Sequence, residues 1–159
     1  ALGSIIGRKV PDKDRIAQEP VRQSNTHVAK LSFGKLQLVD HGEEIPIVVL
    51  IPQGKPSDDF VLWLDGDGKS AVLKDDGSVV HELMPLMEAG HPLVCADLFG
   101  QGEMASDGGT VSRNRTVDNP REFAGYSYGY NDTLFAQRVH DILTIIGWLL
   151  MPKLFRLSA

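Results

Sequence analysis

Two short, unbroken apolar runs constrain this chain most. One is Phe60-Val61-Leu62-Trp63-Leu64, the other is Leu93-Val94-Cys95-Ala96, and turn residues bracket both. A run that is apolar at every position suits a strand covered on both faces, as in a parallel sheet. Between the runs, a helix is expected over residues 78–89, capped by Ser78 at its start and Gly90 at its end, with Pro85 inside it. A second helix is expected from Asp132 to Leu150. The order strand, helix, strand, helix implies a right-handed crossover and an α/β sheet.

Upstream, residues 28–33 alternate in strand fashion. Leu36, Leu38 and the run Ile47–Ile51 continue the β signal around a turn at Asp40-His41-Gly42. This predicts an antiparallel opening meander. Residues 1–24 are polar, with Pro11 and Pro20, and read as an N-terminal arm or short helix lying on the domain. On the second helix, Phe135, Val139, Ile142, Leu143, Ile146, Leu149 and Leu150 fall on one stripe, with Arg138, Asp141 and Thr144 largely opposite. That stripe is expected to cover the sheet. Residues 151–159 read as a short tail.

With 159 residues, the chain is one domain or a piece of one. Apolar residues make up 42% and charged residues 23%, a globular balance. The net charge is −5 with no long basic run, which argues against nucleic acid and anionic membrane as partners. The apolar stretch around Ile142–Met151 falls short of a membrane span. The chain opens on Ala1 without a charged-then-apolar leader, so no signal peptide is expected within it. Cys95 is the single cysteine, which excludes an intrachain disulfide framework and a multi-cysteine zinc site. Its apolar setting predicts a buried core thiol. The five histidines show no paired metal spacing, and no metal or cofactor is expected.

Gly125-Tyr126-Ser127-Tyr128-Gly129 spells G-x-S-x-G, the turn that exposes a serine nucleophile between a strand and a helix. A helix follows, but the preceding Asp118–Ala124 is polar and broken by Pro120, a poor strand. Ser127 is therefore a candidate nucleophile without its strand. The other reading is a loop whose Tyr126, Tyr128 and Tyr130 pack beside a site or face a substrate. Three further motifs fail their context. Gly68-Lys69-Ser70 ends like a P-loop, but the first glycine position holds Trp63. Gly100-Gln101-Gly102-Glu103-Met104-Ala105 matches a relaxed dinucleotide fingerprint, but Ser106-Asp107-Gly108-Gly109 follows where a helix should begin. Asp65-x-Asp67-Gly68 starts a calcium loop whose later ligands are missing.

Taken in order, Phe60–Leu64 with Asp65-Gly66-Asp67-Gly68-Lys69, then Leu93–Ala96 running into Asp97-Leu98-Phe99-Gly100-Gln101-Gly102-Glu103, then the helix through Gln137-Arg138-Val139-His140-Asp141 form a pattern. It resembles the α/β-hydrolase superfamily, specifically acetyl xylan esterase-like and dienelactone-hydrolase-like proteins. The resemblance covers residues 25–150 and implies the N-terminal half of such a domain: a partial hydrolase sheet with an antiparallel opening, then parallel strands with covering helices. It implies that the loop Gly66-Asp67-Gly68 donates an oxyanion-hole N–H. It implies that Asp97, Gly100 and Gly102 fix loops rather than transfer protons. In the family the nucleophile sits on the fifth strand, after the helix matched by Asp132–Leu150, and the acid and histidine follow. By this alignment all three are absent here, and Ser127 lies on the wrong side of the helix. Without a fifth strand, Phe60–Leu64 would be an exposed edge, so self-association or pairing with a missing C-terminal half is expected.

Three functions stay open. The chain is a segment of a serine esterase acting on small esters or acylated sugars, contributing scaffold and one oxyanion wall. Or it is a non-catalytic α/β binding module using the Gly/Tyr-rich loop 98–130. Or it is an intact small esterase built on Ser127, with a histidine such as His27, His81, His91 or His140 brought to it.

Overall fold

The computed structural model describes residues 7–105, 110–113, 119 and 132–151. The protein is α/β. Its strands are β1 (Ile16–Asn25), β2 (Ala29–Leu38), β3 (Glu43–Pro52), β4 (Val61–Trp63) and β5 (Leu93–Ala96). They form one sheet in the order β1-β2-β3-β5-β4. The pairs β1–β2, β2–β3 and β3–β5 are antiparallel, and β4–β5 is parallel.

The antiparallel opening has one more strand than the hydropathy pattern shows. Residues 16–24, expected as part of an arm, belong to β1, and among the described residues before it Lys13–Arg15 make a short 3-10 turn. β1 is exposed along most of its length, so it lacks the apolar alternation of a half-buried strand. Pro20, which has no N–H to give, is tolerated because β1 is an outer strand with a register shift at Pro20/Arg22. Thr26 shapes the β1–β2 turn: its Oγ1 accepts the Val28 and Ala29 N–H groups at 3.3 and 3.1 Å.

β3 is the central strand and is buried on both faces. Ile45, Ile47 and Val49 join Leu36, Leu38, Val94 and Ala96 on one side. Val48 and Leu50 join Leu31, Leu93 and Cys95 on the other. Each such Leu, Ile or Val side chain contributes about 1.5–3 kcal/mol on burial. The second face is covered by Val72, Val79, Leu83 and Met87 from the β4–β5 connection.

That connection is less helical than expected over residues 78–89. His81–Leu83 is a 3-10 turn, and the helix proper, α1, is Met84–Glu88. Pro85 explains the late start, because proline fits only the first turn of a helix. Ser78 is not a cap; its N–H and hydroxyl both bond Asp76 Oδ1, at 2.8 and 2.6 Å. The end is as the glycine predicts: His91 N–H reaches Leu86 O and Gly90 N–H reaches Met87 O, both at 3.0 Å.

The first sheet face is covered by α2 (Leu134–Leu149), whose cap Thr133 accepts the Ala136 N–H at 3.1 Å. The face that α2 buries differs from the expected stripe. Ala136, His140, Thr144, Ile145, Gly147 and Trp148 are buried, while Phe135 is 60% and Leu150 75% exposed. The reason is β1. A Cβ on Gly147 would stand 2.9 Å from Ile16 Cδ1, and Trp148 Nε1–H donates to Gln18 Oε1 at 3.2 Å. A small residue and an indole dock α2 on the strand that the sequence hid, and most of the large apolar stripe is left half-buried or exposed.

Candidate functional site

β4 and β5 run parallel, so their carboxyl ends open side by side. In α/β sheets that end is where ligands bind. Residues 64–69 leave β4 there, and residues 97–103 leave β5.

Asp97 joins the two loops. Its side chain is 3% exposed. Oδ1 accepts the Lys69 N–H at 2.7 Å, and Oδ2 accepts the Glu103 N–H at 3.0 Å. The Lys69 ammonium lies 3.4 Å from Asp97 Oδ2 and 2.6 Å from Glu103 Oε1. Two glycines make room for this. Gly68 has φ +62° and Gly102 φ +46°, and a Cβ on either would fall on the Asp97 carboxylate. Only glycine adopts such angles without strain, and here it also allows the approach.

Gln101, which the sequence reading passed over, is the second bridge. It is 2% exposed. Its Oε1 accepts the Leu98 N–H at 3.0 Å, and its Nε2 donates to the carbonyls of Asp65 and Gly66 at 3.0 and 2.8 Å. A polar residue between two glycines, in the turn that leaves a buried strand, was the available signal.

The β4 loop is internally bonded. Asp65 Oδ1 accepts the Asp67 N–H at 3.0 Å, and Asp65 O accepts the Gly68 N–H at 3.3 Å. Among the described residues, the exposed Gly66 amide has no acceptor. The expected loop Gly66-Asp67-Gly68 is thus reduced to one free donor, held from behind by Gln101 and Asp97. Asp97 itself has its oxygens turned toward two amides and an ammonium, an arrangement that positions backbone and leaves little for proton transfer.

Cys95 is fully buried, and its thiol lies 3.4 Å from Gly68 O. Burial pushes its pKa up to about 12, so it remains a thiol and not a nucleophile. Gly100 sits in the β5 turn under Val111, whose N–H donates to Gly100 O at 2.7 Å. From α2, Asp141 accepts the Phe99 N–H at 2.7 Å, and Arg138 donates to Phe99 O at 3.1 Å and Val111 O at 2.7 Å.

The structure therefore brings Gly66, Asp67, Gly68, Asp97, Gly100 and Gly102 to one end of the sheet. Ser127, Tyr126, Tyr128 and Tyr130 lie outside the described residues, as does most of the 98–130 loop. His140 is buried on α2, with Nδ1 3.9 Å from Asp132 Oδ2. His27 and His81 line an open groove of about 740 Å³ with Thr26, Lys74, Ser78 and Met84. That groove is at the β1–β2 turn, the opposite end of the sheet from Asp97. Among the described residues, no group of three His, Cys, Asp or Glu side chains is arranged to hold a metal ion. The chain matches no family model, no curated protein and no solved structure.

Proposed function

We propose that this chain is a segment of a serine carboxylic-ester hydrolase of the α/β-hydrolase type, resembling acetyl xylan esterases. It supplies scaffold and one wall of the oxyanion hole, and the nucleophile, acid and base come from outside residues 25–150. The observation that carries the reading is the Asp97 carboxylate. It holds the Gly66–Lys69 loop at the carboxyl ends of two parallel strands, and among the described residues the Gly66 N–H has no acceptor, which suits it to a developing oxyanion. A donor of this kind is worth about 2.7–4 kcal/mol in a transition state.

The strand order supports the same reading. The β4–β5 crossover passes over one sheet face and moves toward β3, while α2 lies on the other face. Right-handed crossovers on opposite faces move in opposite directions. A parallel strand entered from α2 would therefore land on the outer edge of β4, next to the Gly66 loop. That is where the resemblance puts the nucleophile strand. The substrate is a small ester or acylated sugar.

A fluorophosphonate probe on the full gene product carrying this chain tests the proposal. Labelling at a serine outside residues 25–150, with hydrolysis of aryl acetates, is the expected result. Labelling that is lost in Ser127→Ala would overturn it in favour of an intact small esterase. No labelling and no ester hydrolysis would overturn it in favour of a binding module built on the 98–130 loop.

A further inference from the structure

The end of the sheet opposite Asp97 carries a second opening. Residues 25–28, between β1 and β2, face residues 74–78 of the β4–β5 connection across a groove of about 740 Å³. Small-molecule sites commonly measure about 300–1,000 Å³.

Both walls of the groove spend their backbone internally. The Thr26 N–H donates to Ala29 O at 2.9 Å. Gln53 holds the same turn, its Nε2 donating to Thr26 O at 2.7 Å and its N–H to Val28 O at 3.0 Å. In the facing turn, the Lys74 N–H donates to Ser78 O and the Gly77 N–H to Lys74 O, both at 2.8 Å. Asp76 Oδ1 takes the Ser78 N–H and hydroxyl. The walls are thus set before a ligand arrives, which lowers the ordering cost of binding. Recognition falls to the side chains.

Those side chains are of two kinds. His27, Lys74 and His81 line the groove and make no hydrogen bond or ion pair among the described residues. Val28, Val79 and Met84 line it too; Val79 is buried, and the other two are half-buried. An ammonium and two imidazoles therefore share one opening with an apolar surface.

We infer that this groove binds a small organic acid that carries one carboxylate on an apolar body. Lys74 offers the carboxylate a compact charge with three donors, and the ring N–H groups of His27 and His81 can add to it. The body lies against Val28, Val79 and Met84, and the flexible thioether of Met84 fits bodies of differing shape. Asp76 limits the charge. Among the described residues it is the one carboxylate in the lining, and the bonds from Ser78 hold its carboxyl below the ordinary value, so it stays ionised. Lys74 favours that charge from a distance but forms no ion pair with it. A phosphate or a dicarboxylate would bring a further negative charge to Asp76, whereas a single carboxylate seated at Lys74 does not. The inference is independent of the hydrolase reading, since this groove and the Gly66 loop lie at opposite ends of the sheet.

Backbone amide NMR of the chain, titrated with naphthoate and with the neutral naphthylmethanol, tests it. Naphthoate should give saturable shifts at residues 26–28 and 74–81, with a Kd of about 1 mM or tighter. Naphthylmethanol should bind roughly three- to tenfold more weakly, and Lys74→Gln should weaken naphthoate by the same factor while leaving naphthylmethanol unchanged. Lys74 is exposed, so this variant should fold as wild type does. Met84→Ala should weaken both probes alike. No saturable shift up to about 10 mM, or shifts centred on residues 66–69 and 97–103, would overturn the site. Equal binding of the two probes, or wild-type naphthoate affinity in Lys74→Gln, would overturn the carboxylate at Lys74. A naphthalene dicarboxylate that binds more tightly than naphthoate would overturn the single-charge limit.

Discussion

Asp97→Ala removes the acceptor that joins the two loops, and its cost can be worked from the contacts. The Lys69 and Glu103 amides, bonded at 2.7 and 3.0 Å, lose their partner. Each amide left without an acceptor costs about 1–3 kcal/mol. The Lys69 side chain, 11% exposed, loses one of two carboxylates and keeps Glu103 at 2.6 Å. Against this, the buried carboxylate no longer has to be stripped of water, which returns part of the loss. The net is about 3–5 kcal/mol, the range for breaking one side of a buried pair. Asp97→Asn has the same shape and keeps one acceptor oxygen, but turns an NH₂ toward an N–H donor. It should fall between wild type and alanine. Urea unfolding followed by tryptophan fluorescence gives all three values. An alanine variant within about 0.5 kcal/mol of wild type, the usual range of an inert surface change, would refute the idea that this carboxylate holds the site.

Gly102→Ala should destabilise by about 2 kcal/mol or more, because it adds left-handed strain of about 1–2 kcal/mol to a clash with Asp97. Gly77→Ala, with φ +79° and nothing within 4 Å of the added Cβ, should show the strain alone. Equal melting points for the two variants would remove the clash from the account. Glu43 is pushed up by burial, but the two bonds from Arg8 outweigh this and hold its pKa below the ordinary value. Its stabilisation is present above the unfolded pKa and is lost as pH falls through the folded one. Arg8→Ala should therefore weaken the fold at pH 7 and match wild type near pH 2, about two units below an ordinary glutamate; a pH-independent difference would exclude this pairing as the cause. The chain should self-associate in solution, since β4 ends the described sheet half-buried and Phe135 and Leu150 stand exposed. Light scattering that reports a clean monomer at high concentration would count against it.

Much of the central sheet was legible because its strands are buried on both faces. Ile47–Ile51 and Leu93–Ala96 are apolar at every position, and no surface helix reads that way. β1 was not legible, because an outer strand pairs its backbone while its side chains stay in water, and Pro20 looks like a strand breaker unless the strand is known to be an edge. The site was partly legible. Glycines at 66, 68, 100 and 102 announce tight backbone, and Asp97 follows a buried strand directly. Gln101 was missed because, besides the nearby Leu98 N–H, its role is to satisfy two carbonyls from the distant β4 loop, and no local spacing records that. Residues 125–129 spell a nucleophile turn, yet the spelling carries no information about the strand such a turn requires.

The error on α2 is the more instructive one, because the stripe was read correctly and its use was not. Phe135, Val139, Ile142 and Ile146 do share a face, but periodicity reports which residues are apolar together and not what lies opposite them. The helix chose Gly147 and Trp148 for contact because β1 offers Ile16 and Gln18, and because glycine allows the backbone to come close. This leaves Ile142 and Leu149 only partly buried against the first core cluster. Separately, β4 has one unpaired side among the described residues. On the proposed reading, a strand added parallel to β4 would cover that side and bring the residue at its carboxyl end next to the Gly66 amide. The edge that favours association would then be the edge at which the proposed site is completed.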